Sequence, residues 1–478
     1  MPGPGVLLAA ILDVLSLKKL SDALYRAHVT ESDSDYAVHR AFWLLLEEGR
    51  HEDALRLARS RWERVKSPRI GRDLAHALLK RKDFQQAFQV AKEMSETNPA
   101  NPWLRLFAAD VAWFFLEDED RALSMYLDAV PSCEAAMPDI YPQAVLYKRL
   151  TKIYRRRGDE ERLLPALSKF YSLAPTNFHD EEFILLAELL HKRGDSGAAR
   201  EVLDTGCKVM PRCVPLREAY EKMGLGKAPE VLPRRTPPIG AVGTGAMAGV
   251  SRHPVKTRLL TEADDPVEVV KSHVRGRVRA GDVVTLSSCV AAIMEGRMVM
   301  EGVVPASSLS KFLSRLIAGA HRFGPFGASA PMANPLSVQV ALEEVGTLRL
   351  AAAALAGAVG KLLGIKGWFY VICGPQVAQI DDILGSIPPY DYYVIMGPKD
   401  PFALSERIAA SLGEGVESAI IDANDLGIAW AVGHSRGVDR KVLESRMSDN
   451  PAGNQDQMTP IVIVGIEDEA REEGEAER

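Results

Sequence analysis

A recurring pattern of apolar and polar positions divides the first half of the chain into pairs of short helices. Five segments align with one another: EEGRHEDALRLA, KRKDFQQAFQVA, FLEDEDRALSMY, RRGDEERLLPAL and RGDSGAAREVLD. Each predicts the start of a second helix, anchored by a small or apolar residue: Ala54, Ala87, Ala122, Leu163 and Ala199. These anchors are 33, 35, 41 and 36 residues apart. A period of this size predicts an architecture of helical repeats.

Glycines and prolines follow the same period. Each of three glycines, Gly49, Gly158 and Gly194, precedes an anchor by five residues, where a tight turn between helices favours a positive φ. Prolines are expected to end second helices: Pro68, Pro99, Pro175 and Pro211. With this spacing, residues 36–220 resemble the tetratricopeptide repeat family. The resemblance implies an all-α superhelix whose groove holds a protein or peptide partner, and the alternative is a helical scaffold that only dimerises or orients the other domain.

The composition changes after the repeats, in GLGKAPEVLPRRTPPIGAVGTGAMAGVSRHP. This stretch is rich in Gly and Pro and has no apolar helical face, which is typical of an interdomain linker. The final run, IEDEAREEGEAER, predicts an acidic, disordered tail. We therefore predict a repeat domain at residues 1–223, a linker at 224–252, a second domain at 253–465 and the tail at 466–478.

Strand-like and helix-like patterns alternate in the second half. Short apolar runs predict strands in DVVTLSS, GWFYVIC, YYVIM, ESAIID, IAWAV and IVIVG. Helical periodicity occurs in DPVEVVKSHV, SSLSKFLSRLIAGA, NPLSVQVALEEV and DPFALSERIAASLG. In the last of these, Asp400 is the expected N-cap and Pro401 the first helical residue. The alternation predicts an α/β or mixed α+β domain.

Composition and charge narrow the classes of function. A net charge of -6 argues against a general nucleic-acid or anionic-membrane binder, so proteins or small molecules are the expected partners. The apolar start VLLAAILDVLSLKKL contains Asp13 and lysines at helical spacing, which favours an amphipathic helix over a signal peptide. Five scattered cysteines support neither a zinc site nor a disulfide framework, and they fit a reducing cytoplasm.

The stretch IDANDLG places three polar side chains where a predicted strand ends: Asp422, Asn424 and Asp425. Open α/β sheets bind ligands at the carboxyl ends of their strands, so these residues are candidates for a metal or substrate site. The alternative is an Asx turn, in which Asp and Asn bind nearby backbone amides. A second acidic spot contains Asp381, and two converging carboxylates would suit Mg²⁺ or Mn²⁺.

Several ordered motifs within residues 253–465 resemble the gamma-glutamyl ligases of the 5-deazaflavin coenzyme (coenzyme F-four-twenty), in particular an uncharacterised bacterial branch. The motifs are HPVKTRLLTEADDPVEVV, GDVVTLSSCVAAIMEGRMV, MGPKDPFALSERI, IDANDLG and GVDRKVLESRMSDNPAGNQDQMTP. The resemblance implies a homodimer with a gamma-glutamyl-ligase-like fold that forms an amide bond on a small-molecule carboxylate, using GTP with Mg²⁺ or Mn²⁺. It also implies that Asp381 and Asp422 hold the metal and that Glu295 supports them.

Other positions modify this expectation. Cys289 and Ile293 stand where the family has lysines, which removes cations that a nucleotide phosphate would need. No partner histidine can be named for Cys289, so it is interpreted as a buried structural thiol rather than a nucleophile. Arg436, in GHSRGVD, is a candidate for binding an anion.

Two hypotheses about function follow. In the first, the protein is a cytoplasmic, nucleotide- and metal-dependent amide ligase, with Asp381 and Asp422 as metal ligands and Asp425 and Glu295 in supporting roles. In the second, it is a non-catalytic binding or scaffold protein, in which the repeats recruit a protein and the second domain is a degenerate ligase fold. The missing lysines favour the second hypothesis, and the acidic positions favour the first.

Overall fold

The protein is described by a computed structural model that covers residues 3–210, 213–229, 250–321, 332, 334–363, 367–381, 386–424, 428–453 and 457–466. The chain forms two compact units. Unit 1 comprises Met1–Asp83, Pro238–Ile387 and Tyr393–Arg478, and unit 2 comprises Phe84–Pro237 and Pro388–Tyr392. Each unit therefore combines residues from both halves of the sequence, whereas the predicted domains are continuous. No helix in the described part of the chain is both long and apolar enough to cross a bilayer.

Unit 1 begins with five helices. They are α1 (Pro4–Val14), α2 (Lys18–His28), α3 (Asp35–Glu47), α4 (His51–Val65) and α5 (Pro68–Lys80). Sequence signals explain two of the starts: Ser34 caps α3 by accepting from the backbone N–H of Ala37, and Pro68 occupies the first position of α5. Pro68 thus starts a first helix of a repeat rather than ending a second one, because its missing N–H costs nothing there.

Unit 2 contains eight α-helices among its described residues. They are α6 (Phe84–Thr97), α7 (Pro102–Phe114), α8 (Glu119–Ala135), α9 (Tyr141–Arg157), α10 (Glu160–Leu173), α11 (Asp180–Lys192), α12 (Ser196–Val209) and α13 (Val214–Lys222). Three aspartates cap the second helices of successive pairs by accepting from the backbone N–H three residues on: Asp118, Asp159 and Asp195.

The predicted repeat of helix pairs is confirmed. Second helices α4, α6, α8, α10 and α12 begin a few residues before the five predicted anchors, and all five anchors are buried. Gly49, Gly158 and Gly194 have φ of 73°, 66° and 87°, as the tight turns require. The small anchors thus allow close helix packing.

The rest of unit 1 contains the remaining described α-helices and all the described strands. The helices are α14 (Pro266–Val274), α15 (Ser288–Met294), α16 (Ser308–His321), α17 (Pro335–Val345), α18 (Thr347–Leu362), α19 (Trp368–Cys373), α20 (Pro375–Ala378), α21 (Pro401–Leu412) and α22 (Arg440–Arg446). The strands are β1 (Val250–Val255), β2 (Val283–Ser287), β3 (Met298–Met300), β4 (Tyr393–Ile395), β5 (Glu417–Asn424), β6 (Ile428–His434) and β7 (Ile461–Ile466).

Five strands form a mixed sheet in the order β1-β7-β2-β5-β6, in which β2 and β5 are parallel and the other neighbours antiparallel. Both faces of this sheet are buried. Along β7, Ile461 and Ile463 face one core cluster while Val462 and Val464 face the other, as the two-residue period of a strand requires. The mixed-sheet prediction for the second half is confirmed at this level, whereas a ligase-like fold stays a prediction.

Two strand predictions are corrected. GWFYVIC forms α19 rather than a strand, because short apolar runs fit either state and the glycines at both ends, Gly367 and Gly374, have φ of 90°. The strand predicted in ESAIID continues to Asn424 as part of a hairpin with β6. Of the predicted linker, residues 230–249 lie outside the described part, as do residues 467–478 of the predicted tail.

Candidate functional site

The predicted acidic site lies where β2 and β5 run side by side in unit 1. Ser287, the last residue of β2, pairs with Ile421 of β5, so the start of α15 lies beside Asp422. Asp381 follows α20 and donates its backbone N–H to the carbonyl of Ile395 at 2.8 Å. The fold thus brings together three residues that are distant in sequence: Cys289, Asp381 and Asp422.

The surroundings and the neighbouring charges shift the pKa values of Asp422 and Cys289. Removal of water by nearby protein atoms, and then the charge of Asp381, raise the pKa of the Asp422 carboxyl above its usual range. Burial, and then the charges of Asp381 and Asp422, raise the pKa of Cys289 to about 12. A raised pKa disfavours the thiolate of Cys289 at neutral pH, and its interpretation as a structural thiol stays a prediction.

The remaining predicted site residues are placed elsewhere. Glu295 ends α15, six residues or about 9 Å from Cys289, and its carboxylate accepts from the backbone N–H of Lys399 at 2.9 Å. Arg436 follows β6 at the end of the hairpin away from Asp422, with 97% of its side chain exposed. Asn424 pairs with Ile428 in the hairpin, and Asp425 lies outside the described residues. Their supporting roles stay predictions.

The acidic site offers limited chemistry by itself. The described residues contain no group of three or more His, Cys, Asp or Glu side chains arranged to hold a metal. Two carboxylates are nevertheless the number that Mg²⁺ commonly takes from a protein when phosphates or waters complete its shell. That Asp381 and Asp422 hold a metal stays a prediction.

Sequence reasoning missed a buried ionic site in unit 2, formed by α7, α9 and the segment Pro388–Tyr392. Arg149 of α9 holds Asp391 with two hydrogen bonds, from Nη2 to Oδ1 at 2.6 Å and from Nη1 to Oδ2 at 3.0 Å. Its Nε also donates to Asp110 of α7, at 2.9 Å. Lys148 adds a second cation 3.3 Å from Asp391. Two cations thus balance two carboxylates.

The charged side chains of this ionic cluster are buried, which strengthens the attraction between them. The side chains of Arg149 and Asp391 are fully excluded from solvent. Burial by itself would raise the pKa of Asp391. The charges of Arg149 and then Lys148 outweigh burial and hold this pKa well below its usual range. For Asp110 burial outweighs the arginine and the pKa is raised, so Asp391 is the better stabilised anion of the two.

Aromatic rings enclose the same segment. Trp103 of α7 stacks on Tyr392, with ring centroids 5.5 Å apart and an interplanar angle of 19°. All five residues of Pro388–Tyr392 are buried, and Tyr390 and Tyr392 are nearly solvent-free. The first helices of the repeats thus hold this segment by charge and by stacking. One sequence signal could have revealed the site: in α7, the run WLRLFAADVAW is apolar apart from Arg105 and Asp110, which is typical of a helix covered on most of its surface.

A cavity of about 110 Å³ lies in unit 1, between α3, α5, α17 and the segment around β3. Its charged lining residues include four arginines, Arg40, Arg69, Arg72 and Arg297, and four carboxylates, Glu47, Asp73, Glu343 and Glu344. Its apolar lining residues are Trp43, Met298, Val299, Met300, Val303, Val304, Val340 and Met396. The cavity therefore has both a polar and an apolar surface.

Comparison with known proteins gives matches among solved structures, at low similarity. No protein-family model and no curated relative matches the chain. Among solved structures, YrrB, described as a TPR protein with an unusual peptide-binding site, aligns at 15% identity and a TM-score of 0.28, over 39% of this chain and 91% of its own. MamA aligns at 12% identity and a TM-score of 0.28, over 42% and 98%.

A tetratricopeptide repeat protein from Parabacteroides merdae aligns at 12% identity and a TM-score of 0.30, over 47% of this chain and 87% of its own. Scores of this size carry no functional argument. The helix pairs described above therefore support the repeat architecture by themselves. The resemblance of the second half to gamma-glutamyl ligases stays a prediction, as do the homodimer and the cytoplasmic location.

Proposed function

We propose that the protein is a non-catalytic scaffold whose repeat helices recognise an aspartate placed between aromatic side chains, with its own Pro388–Tyr392 as the bound segment. The observation that carries this proposal is the double hydrogen bond of buried Arg149 to Asp391. Tetratricopeptide arrays use the faces of their first helices to hold peptides. Here α7 and α9 already use those faces for a segment of the same chain.

The energetics favour recognition of this segment over non-specific packing. Without Asp391, the buried cations Arg149 and Lys148 would share the single carboxylate of Asp110. An unbalanced buried charge is strongly unfavourable, so the site selects an anion at the position of Asp391. The planar guanidinium matches a carboxylate with two parallel bonds, and Trp103 selects a flat ring at the next residue. A protein carrying a similar Tyr-Asp-Tyr segment is the class of partner that this site would accept if the chain's own segment left it.

A peptide-binding experiment tests the proposal. The full-length double variant Asp391→Ala/Tyr392→Ala should bind a fluorescent peptide of sequence SIPPYDYYV, measured by anisotropy, whereas the unaltered protein should not because its site is filled. The same peptide with Asn in place of Asp should bind at least about tenfold more weakly, since a charge-assisted hydrogen bond is lost. Asp128→Ala, which removes an exposed aspartate of α8, is the matched control and should behave as the unaltered protein. A double variant that is folded but does not bind the peptide would contradict the proposal.

A second candidate function rests on the proximity of Asp381 and Asp422. Mg²⁺ or Mn²⁺ held there would neutralise the phosphates of GTP during amide-bond formation, as the resemblance to gamma-glutamyl ligases implies. The raised pKa of Asp422 supports this candidate, because a cation would relieve the repulsion between the two carboxylates.

Thermal unfolding in the presence of GTP and Mg²⁺ or Mn²⁺ distinguishes the ligase function from the scaffold function. Binding should raise the melting temperature of the unaltered protein and of Glu414→Gln, which alters an exposed carboxylate, but not of Asp422→Asn. An equal response in Asp422→Asn would place the metal elsewhere, and no response in any of the three proteins at millimolar ligand would argue against the ligase.

A further inference from the structure

Two helices of unit 1, α1 and α18, expose apolar side chains where a surface helix of a globular protein usually exposes polar ones. In α1 the carboxylate of Asp13 is buried, whereas every exposed residue from Leu7 to Val14 is apolar: Leu7, Leu8, Ala10, Ile11 and Val14. Apart from Arg349, the exposed residues among the described side chains of α18 are also apolar: Leu348, Ala351, Ala352, Leu355, Ala358 and Val359. Leu355 is 69% exposed. Both helices thus turn hydrocarbon towards the solvent along faces with helical spacing.

These two helices and α19 are packed together. The backbone N–H of Arg349, in the first turn of α18, donates to Oγ of Ser16, in the turn after α1, at 3.1 Å. Nε of Arg349 donates to the carbonyl of Ile372 in α19 at 2.7 Å. The helix α19 adds three exposed side chains of its own: Trp368, Tyr370 and Val371. The exposed apolar residues of α1, α18 and α19 are called the apolar surface below.

Charges near the apolar surface are cationic. The sequence contains no acidic residue at positions 345–380, which include α18 and α19, but it contains three cations there: Arg349, Lys361 and Lys366. The carboxylate of Asp13 in α1 is buried and pairs with Lys18 at 2.9 Å. This part of the chain is therefore cationic, although the whole chain has a net charge of -6.

Hydrocarbon, aromatic residues and cations together favour a lipid membrane as the partner. Large exposed apolar patches mark sites that bind proteins or membranes. Trp and Tyr are enriched at the level of the lipid headgroups, because each has an apolar ring and a polar tip. Cations beside the apolar residues are attracted to anionic headgroups. A second copy of this chain fits less well, since two identical surfaces facing each other would bring like charges together.

We propose that the apolar surface binds the anionic face of a lipid membrane, with the leucines of α1 and α18 among the acyl chains, Trp368 and Tyr370 at the headgroups and Arg349 beside lipid phosphates. Helices of this kind lie in the plane of the interface, where buried apolar area and charge attraction both contribute to binding. The interaction would hold the scaffold at a membrane. It is independent of the binding of Pro388–Tyr392 in unit 2, because the two sites share no residue.

Vesicle flotation of the full-length protein tests the proposal. We expect the protein to float with vesicles of equal parts phosphatidylcholine and phosphatidylglycerol, and to bind vesicles of phosphatidylcholine alone at least about tenfold more weakly. Leu348→Gln/Leu355→Gln should weaken binding to the mixed vesicles by about tenfold or more, because two side chains no longer bury hydrocarbon in the lipid. Leu127→Gln/Val214→Gln, at two exposed residues of unit 2, is the matched control and should bind as the unaltered protein does.

Four results would overturn the proposal, with folding checked by circular dichroism. The first is no flotation of the unaltered protein with the mixed vesicles. The second is equal binding to both kinds of vesicle, which would remove the role of the anionic lipid. The third is unchanged binding of Leu348→Gln/Leu355→Gln, since the lipid would then bind elsewhere. The fourth is a dimer in sedimentation equilibrium that is lost in Leu348→Gln/Leu355→Gln, which would assign the apolar surface to a second copy.

Discussion

At the scale of single residues, buried ion pairs connect parts of the chain that are distant in sequence. Arg149 lies in a solvent-free position with a carboxylate on either side, Asp110 and Asp391. Its guanidinium also lies 5.9 Å from the ring centroid of Phe114. Such a group is tolerated in a protein interior only because every charge has a partner. Removing Arg149 would therefore leave two buried carboxylates, Asp110 and Asp391, with Lys148 as the one cation beside Asp391.

Arg149→Met is expected to lower the free energy of unfolding by about 3–5 kcal/mol, the usual effect of breaking a buried ion pair. Urea titration followed by circular dichroism measures the change. Arg157→Met is the matched control, because the partners of Arg157 on α8 are at the surface, and it should cost less than about 1 kcal/mol. Equal losses in the two variants would mean that the buried cluster does not stabilise unit 2.

Glu262 predicts a specific response to acid. It is 1% exposed and accepts from Arg72 at 2.8 Å and 3.0 Å and from His76 at 2.5 Å. Burial raises its pKa, but Arg72 and His76 outweigh burial and lower it from 4.5 to about 2. A lowered pKa means that the ionised carboxylate stabilises the folded state above pH 4.5, and that this contribution, on the order of 3 kcal/mol, is lost as the pH falls towards 2.

Denaturant titrations at several pH values check this prediction. Glu262→Gln should be less stable than the unaltered protein at pH 7, and its stability should fall less steeply between pH 4.5 and 2.5. Glu52→Gln, at an exposed glutamate of α4, should keep the original slope. If the stability of Glu262→Gln fell with pH as steeply as that of the unaltered protein, other carboxylates would be the cause of the acid sensitivity.

At the scale of elements, helices and strands could be predicted from local patterns, but their partners could not. The period of the anchors located five second helices, and apolar runs located β2, β4, β5, β6 and β7. The run that forms α19 is predicted wrongly, because six apolar residues between glycines fit either a helix or a strand, and the strands β1 and β3 are not predicted. The resemblance to gamma-glutamyl ligases implies that Asp381 and Asp422 converge, whereas local patterns do not, because Asp381 follows α20 rather than a strand. Arg149 and Asp391 are 242 residues apart in the sequence, and a pattern within a few residues cannot predict a contact over such a separation.

Close contact between elements gives a prediction for Gly433 of β6. A Cβ added there would lie 2.2 Å from the backbone carbon of Pro401, which starts α21. Since backbone cannot yield as a side chain can, Gly433→Ala should destabilise the packing of α21 on the sheet by about 1–3 kcal/mol, measured by thermal and urea unfolding. Gly197→Ala in α12 meets no atom closer than 3.7 Å and should be neutral or slightly stabilising. Unfolding curves for Gly433→Ala that overlay those of the unaltered protein would refute the close approach.

At the scale of the whole molecule, each compact unit contains a buried arginine that pairs with a carboxylate distant in sequence. In unit 1, Arg72 of α5 pairs with Glu262, 190 residues later in the chain, and in unit 2 Arg149 of α9 pairs with Asp391. Both arginines lie on first helices of the repeats, and both carboxylates come from the second half of the sequence. The repeats thus hold segments of their own chain, which is the basis for proposing a scaffold.

Amide hydrogen exchange of the segment that contains Asp391 tests the central claim most directly. In the unaltered full-length protein, amides of residues 390–392 should exchange slowly, because the segment is buried and held by Arg149. Asp391→Asn should speed exchange in this segment by at least about tenfold, since a buried charged pair is broken, while Asp128→Asn should leave it unchanged. Equally slow exchange in folded Asp391→Asn would contradict the account, because the segment would then be held without the ion pair.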